Sequence, residues 1–159
     1  MAAGHRVPPP VLLVAAGAVQ RLVPRVGTQG PVRRTMAGTL AAASGVLLAA
    51  SIVIFRRHST TIDPRAPGEA STLVRSGPYR VSRNPMYLGD VGLLAAHAVF
   101  RGSWQGWVPV GVFAIVIDRF QILAEEVALR EKFGDDFEDY SNRVQRWLGR
   151  RSVEMHHRR

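Results

Sequence analysis

Residues 37–55 read AGTLAAASGVLLAASIVIF, nineteen positions without a charged side chain. At 1.5 Å per residue such a run makes a helix about 28 Å long, close to the hydrocarbon thickness of a bilayer. That match sets the expected fold class, an all-α polytopic membrane protein. Residues 105–124 (QGWVPVGVFAIVIDRFQILA) give a second span, with Trp104 and Trp107 near its start, where amphipathic rings favour the membrane–water boundary. Residues 85–100 (PMYLGDVGLLAAHAVF) and 8–23 (PPPVLLVAAGAVQRLV) are shorter, about 24 Å each as helices, and complete an expected set of four spans. A cleavable signal peptide is the rival reading of residues 1–24, but Gln20 and Arg21 spoil the small-residue cleavage pattern. Beyond Phe133, the apolar residues Phe137, Tyr140, Val144, Trp147 and Leu148 recur at helical spacing in a basic stretch, which predicts an amphipathic surface helix over 133–159. The chain then reads as a single integral membrane domain: an N-terminal hairpin over 1–55, a polar loop over 56–84 and C-terminal helices over 85–150.

Charge follows this layout. The N-terminus, the 56–84 segment and the tail from Arg130 carry fifteen Lys or Arg, against four in the 24–36 and 101–104 connections. The positive-inside rule therefore predicts a cytoplasmic location for both termini and for the polar loop. A net charge of +9 also suits nucleic acid, but the basic residues flank apolar spans and no nucleic-acid reading motif accompanies them, so anionic membrane surface is the simpler partner. The absence of cysteine excludes disulfides, thiolate metal sites and a cysteine nucleophile.

Two polar clusters interrupt the apolar pattern. In the first, R-S-G-P-Y-R-V-S-R-N-P-M-Y-L-G-D from Arg75 to Asp90, Gly77-Pro78 signals a turn, while Asn84-Pro85 fits a helix start with Asn84 as N-cap and Pro85 at the first helical position. Punctuation does not explain Tyr79, Arg80, Arg83, Asn84 and Tyr87 crowded at that helix end. Free N–H groups there suit an anionic group, and tyrosine faces suit a planar ring or a cation; an interfacial girdle of Tyr and Arg is the alternative. In the second cluster, Asp118, Gln121 and Glu125 share one helical stripe, and Arg119, Glu126 and Arg130 another about 100° round. Glu126 and Arg130 are expected to pair. Glu125 then faces either a ligand ammonium or sulfonium, or Arg80 or Arg83.

Other chemistry is thinly represented. The histidines lack metal-ligand spacing, and His97 on its apolar helix reads as an interhelical hydrogen-bonder. Ser59, Thr60 and Thr61 beside His58 have no nucleophile-elbow context, and there is neither G-x-G-x-x-G nor a P-loop.

The blocks LVRSGPYRVSRNPMYLG (73–89) and EEVALREKFGDDFEDYSNRV (125–144) together resemble the isoprenylcysteine carboxyl methyltransferase and phospholipid methyltransferase family. The resemblance covers about residues 60–148. It implies an integral membrane enzyme using S-adenosylmethionine, with a lipophilic acceptor entering from the bilayer. By position, it places cofactor contacts on Ser71, Thr72, Leu73, Val74, Tyr79, Asn84, Pro85, Met86, Tyr87 and Glu125. Two departures stand out. The position one turn before Glu125, an arginine that engages a substrate carboxylate in the eukaryotic carboxyl methyltransferases, is Gln121 here, which makes Gln121 the candidate substrate contact and puts a prenylcysteine carboxylate in doubt. Asn84 stands where the family often has histidine. Glu125, Asp118 and Arg83 are the candidate catalytic side chains, Asp118 being the base if the acceptor must lose a proton. A membrane sterol-type reductase using NADPH is the alternative, since Gly89-Asp90 after R-N-P-M-Y fits that pattern too; a non-enzymatic membrane scaffold is the third reading.

Overall fold

The computed structural model describes residues 7–27, 30–57 and 72–148. Helix α1 (Pro9–Leu22) is followed by the long α2 (Pro31–Arg57), a 3-10 turn at Gly77–Arg80, and α3 (Pro85–Arg101). Helix α4 (Trp107–Val116) runs through a π-helical turn (Ile117–Ile122) into α5 (Leu123–Phe133), and α6 (Asp135–Arg143) closes the chain's regular structure. No strand occurs among the described residues.

Two of these rods are long and apolar enough to cross a bilayer: Pro31–Arg57, and the continuous stretch Trp104–Phe133. The expected set of four spans is therefore corrected to two. Helix α1 has 14 residues and α3 has 17, about 21 and 26 Å. Both serve as packing partners of the longer rods. Most of α2 is open to its surroundings, and Val32, Met36 and Val46 project outward, as do Val112, Ile115 and Phe120 on the α4 rod. Apolar exposure on this scale suits lipid, not water.

The closest packing is between α2 and α3, and small residues make it possible. Ala37, Ser44 and Ser51 are the buried positions of α2, and they meet the α3 face that carries Gly89, Gly92 and Ala96. A Cβ built on Gly92 would lie 2.1 Å from Ser44 Oγ, and one on Gly89 would lie 3.1 Å from the Ser44 carbonyl. Small side chains let helix backbones approach when lipid supplies no hydrophobic drive between them. The main core, Leu94, Ala98, Val110, Phe113, Ile117 and Ile122, fills the other side of α3, with Leu12, Leu13 and Ala16 of α1 against it.

Gln20 locks α1 in place. Its side chain is fully buried, and Nε2 donates to the carbonyls of Leu94 (3.0 Å) and Gly106 (2.9 Å). Its Oε1 lies 2.8 Å from His97 Nδ1, the interhelical role expected of that histidine. Two grooves of about 700 and 360 Å3 run along α2 and α3, and neither is lined by Tyr87, Gln121 or Glu125.

The predicted amphipathic helix over 133–159 is shorter than expected. The chain breaks at Gly134 (φ 49°), α6 ends at Arg143, and 144–148 is non-helical; residues 149–159 lie outside the described residues. Phe137, Tyr140 and Val144 nevertheless turn inward together, forming a second small core with Leu73, Leu129 and Phe133. Trp147 reaches past it to the main core, and Leu148 is exposed.

The α2–α3 contact yields a test. Gly92→Leu should destabilise the protein by about 1–3 kcal/mol through overpacking against Ser44. Thermal unfolding in detergent measures this, and Gly92→Ala combined with Ser44→Ala should recover most of the loss.

Candidate functional site

The two polar clusters meet. Tyr87, in the first turn of α3, donates its hydroxyl to Glu125 Oε1 at 2.6 Å, and Gln121 Nε2 donates to the same oxygen at 2.8 Å. Residues 38 positions apart in the chain thus form one hydrogen-bonded group where α3 begins and α5 begins.

The local sequence explains how Tyr87 arrives there. Pro85 opens α3 at the position where a missing N–H costs nothing. Upstream, Gly77 has φ 57°, and a Cβ on it would strike Ile54 Cδ1 at 2.2 Å, so glycine permits the turn to press against the end of α2. That turn buries Tyr79, whose ring lies 5.6 Å from that of Phe55. Tyr140 then donates its hydroxyl to the Tyr79 carbonyl at 2.7 Å. Burial pushes both phenols well above their ordinary range, so both stay neutral and neither serves as a base.

Behind Tyr87 stands an ion-pair network. Glu126 receives Arg83 Nη2 at 2.7 Å and Arg146 at 2.6 and 3.0 Å; Arg146 also reaches both oxygens of Asp118 at 3.2 and 3.3 Å. Trp147 Nε1 donates to Asp118 at 2.9 Å. Two guanidinium and two carboxylate charges balance, and hydrogen bonds to Glu126 hold Arg146 more firmly charged than usual. Arg83 adds bonds to the carbonyls of Ser141 (2.9 Å) and Val144 (2.7 Å), and its main-chain N–H donates to Gln145 O at 2.9 Å. Ser82 Oγ and Asn84 Nδ2 both donate to the Arg146 carbonyl, at 3.0 and 3.1 Å. The loop before α3 is thereby strapped to the segment after α6.

Several expectations change. Glu126 pairs with Arg83 and Arg146, not with Arg130, which bonds Glu138 instead. Arg83 therefore does not partner Glu125, and Arg80 is exposed. Asn84 occupies the N-cap position without a side-chain cap bond, because its amide is spent on Arg146 O; its main-chain N–H is held by Ser82 Oγ at 3.1 Å. Of the two helical stripes, Gln121 and Glu125 stay together, but Asp118 leaves the first and joins Glu126 of the second at Arg146, in keeping with the π turn between them. At 3.6 residues per turn Asp118 and Glu126 would stand about 80° apart; the wider turn over 117–122 retards the rotation, so both reach Arg146. Asp118, with its oxygens taken by Arg146 and Trp147, belongs to the strap. Glu125 and Glu126 lie at the start of α5, which continues to Phe133 rather than ending at them.

Of the remaining candidates, Pro85 and Val74 are buried, Met86 is half-buried, Thr72 is exposed, and Ser71 lies outside the described residues. Leu73 packs in the small core around Phe137, which leaves chiefly main-chain groups of 73 and 74 for a ligand. Sequence reasoning gave no role to Arg146 and placed Trp147 only on the apolar face of a surface helix, although both follow closely on the second motif block, which ends at Val144. It touched Asp90 only through the reductase pattern; that carboxyl is buried, one helical turn after Tyr87, and no salt bridge to it forms among the described residues.

Removing Glu126 would leave the largely buried Arg83 guanidinium with only main-chain partners and Arg146 with Asp118 alone. Glu126→Ala is expected to cost about 3–5 kcal/mol, read as a lowered unfolding midpoint, and to expose residues 141–147 to limited proteolysis.

The phospholipid methyltransferase family model matches residues 33–136, which includes α2 from Arg33 onward, the loop before α3, and Glu125 and Glu126. An uncharacterised protein of Haemophilus influenzae is 41% identical over 63 residues, covering 40% of this chain and the whole of that protein. No solved structure matches the chain. With the family model spanning well over half of its length, the chain belongs to the phospholipid methyltransferase family, the isoprenylcysteine carboxyl methyltransferase-like group of membrane methyltransferases.

Proposed function

We propose that this protein is a membrane-embedded methyltransferase that uses S-adenosylmethionine to methylate a nucleophilic oxygen, nitrogen or sulfur on a lipophilic or amphiphilic small molecule. The observation that carries the reading is the convergence of Tyr87 and Gln121 on Glu125 at the first turn of α3.

The donor set fits such a cofactor. Glu125 offers a carboxylate, held in position by two donors, to an ammonium group. The start of α3 has no side-chain cap, so its main-chain N–H groups and the positive end of its dipole suit a carboxylate. Tyr87, half-buried beside Glu125, supplies a ring face, and Tyr79, buried against Phe55, backs the turn. When bound, S-adenosylmethionine supplies a methyl group already activated by its sulfonium charge.

The protein's own task is then placement and the exclusion of water. The strap through Arg83, Glu126 and Arg146 fixes the loop that presents Tyr87. Apolar flanks of the α4–α5 rod suit an acceptor that partitions into lipid, and Gln121, where relatives carry an acid-binding arginine, favours a neutral acceptor group over a carboxylate. Where the acceptor must lose a proton, Asp90 replaces Asp118 as the group to receive it, because Asp118 is engaged by Arg146 and Trp147. The basic loops suit a cytoplasmic cofactor site in a protein with two passes of the membrane.

The reductase reading retains Gly89-Asp90 in its favour, and the family match over residues 33–136 counts against it. Titration calorimetry of detergent-solubilised protein with S-adenosylmethionine and with NADPH separates them. Binding of the former alone is expected, weakened at least about tenfold by Glu125→Ala, a modest charge-assisted contact. Binding of NADPH alone would end the methyltransferase assignment, and binding of neither would favour a scaffold.

A further inference from the structure

The end of the bundle away from Tyr87 has an unusual charge balance. No Asp or Glu occurs in the sequence before Asp63, yet Arg21, Arg25, Arg33 and Arg34 fall there and are joined by Arg101 at the end of α3. None of these five forms a salt bridge among the described residues. Their hydrogen bonds go to neutral carbonyls: Arg33 Nη1 to Val26 O at 3.0 Å, and Arg101 Nη2 to Arg21 O at 3.1 Å and also to Val23 O. Arg101 is only 7% exposed, and its buried Nε has no hydrogen-bond partner. A positive group taken out of water without a counter-ion is costly, and an anion nearby lowers that cost.

A groove adjoins these charges. It measures about 360 Å3 and runs between α2 and α3, floored by Ala37, Gly38, Ala41 and Ala96, with Arg34 and Phe100 at one end. The guanidinium of Arg25 sits over the same Phe100 ring, 5.7 Å from its centre. Arg25 and Arg34, neither in a salt bridge among the described residues, are therefore both associated with Phe100, which lines a groove walled mainly by small and apolar side chains. Phe100 lies thirteen residues along α3 from Tyr87, about 20 Å away, so this place is separate from the proposed methyl-transfer site.

We infer that Arg25 and Arg34 hold the phosphate of an anionic phospholipid whose acyl chain lies in the furrow between α2 and α3. Charge complementarity selects the headgroup, because cations at the bilayer surface attract anionic lipid. The small residues of α2 and α3 select a chain over a ring. The lipid here is a structural ligand, and its binding does not depend on the function proposed above.

Native mass spectrometry of the intact, detergent-solubilised protein tests this with phosphatidylglycerol, phosphatidylcholine and inorganic phosphate as probes. Phosphatidylglycerol should be retained on the order of tenfold better than phosphatidylcholine, the scale expected of two arginines at a membrane surface. The double variant Arg25→Gln/Arg34→Gln should lose that preference. Gly38→Leu should reduce retention of both lipids, since a Cβ on Gly38 meets nothing within 4 Å and the longer side chain can occupy the furrow. Circular dichroism checks that each variant is folded, and either variant suffices alone. Equal retention of the two lipids, a preference that survives the double variant, or displacement of the lipid by equimolar inorganic phosphate would each overturn the proposal. Loss of S-adenosylmethionine binding would bear on the function alone and leave this readout intact.

Discussion

The charge network of Arg83, Glu126, Arg146 and Asp118 is the constraint from which the polar end of the molecule takes its shape. Arg83 alone ties two segments to its own loop: Glu126 at the start of α5, and the carbonyls of Ser141, Val144 and Gln145 around the end of α6. Such charges beside apolar rods are tolerable when paired and bonded, as they are here apart from the buried Nε of Arg83, which has no hydrogen-bond partner, and such a network is expensive to open. Residues 72–84 before α3 are therefore held in place although a single 3-10 turn is their only regular structure.

From that fixed loop the rest follows in order. Asn84 and Ser82 anchor to Arg146, Pro85 starts α3, and one turn later Tyr87 meets Glu125. The π turn completes the arrangement from the other side, because it alone lets Asp118 join Glu126 at Arg146 while Gln121 stays with Glu125. Wide turns of this kind recur at functional sites for this reason, since they re-aim side chains without ending a helix. Membership of a membrane methyltransferase family gives the arrangement its chemical context.

Much of this was legible in the residues. The uncharged run of 37–55 marked α2, G-P-Y and N-P-M-Y marked the loop and the start of α3, and the adjacent carboxylates marked the partner element. The bounds of α1 and α3 were read to within one residue at each end, but their role as spans was overread, because a packing helix and a short span share the same apolar composition. Phase was lost at Ile117, where a 100° repeat does not hold. The partner of Glu126 was misassigned because a local i, i+4 arginine competes on paper with Arg83 and Arg146, whereas tertiary geometry decides in space. Nothing in the sequence near Arg146 or Trp147 indicates that they close the site; their role arises only when the chain after α6 folds back over the loop.

The claim at the centre is that Tyr87 and Glu125 act on the cofactor as one unit. A double-mutant cycle on S-adenosylmethionine affinity, using Tyr87→Phe, Glu125→Gln and the pair, addresses it most directly. The account predicts strong non-additivity, with the pair binding little worse than Glu125→Gln alone. Independent, additive losses, or affinities unchanged in all three proteins, would contradict it.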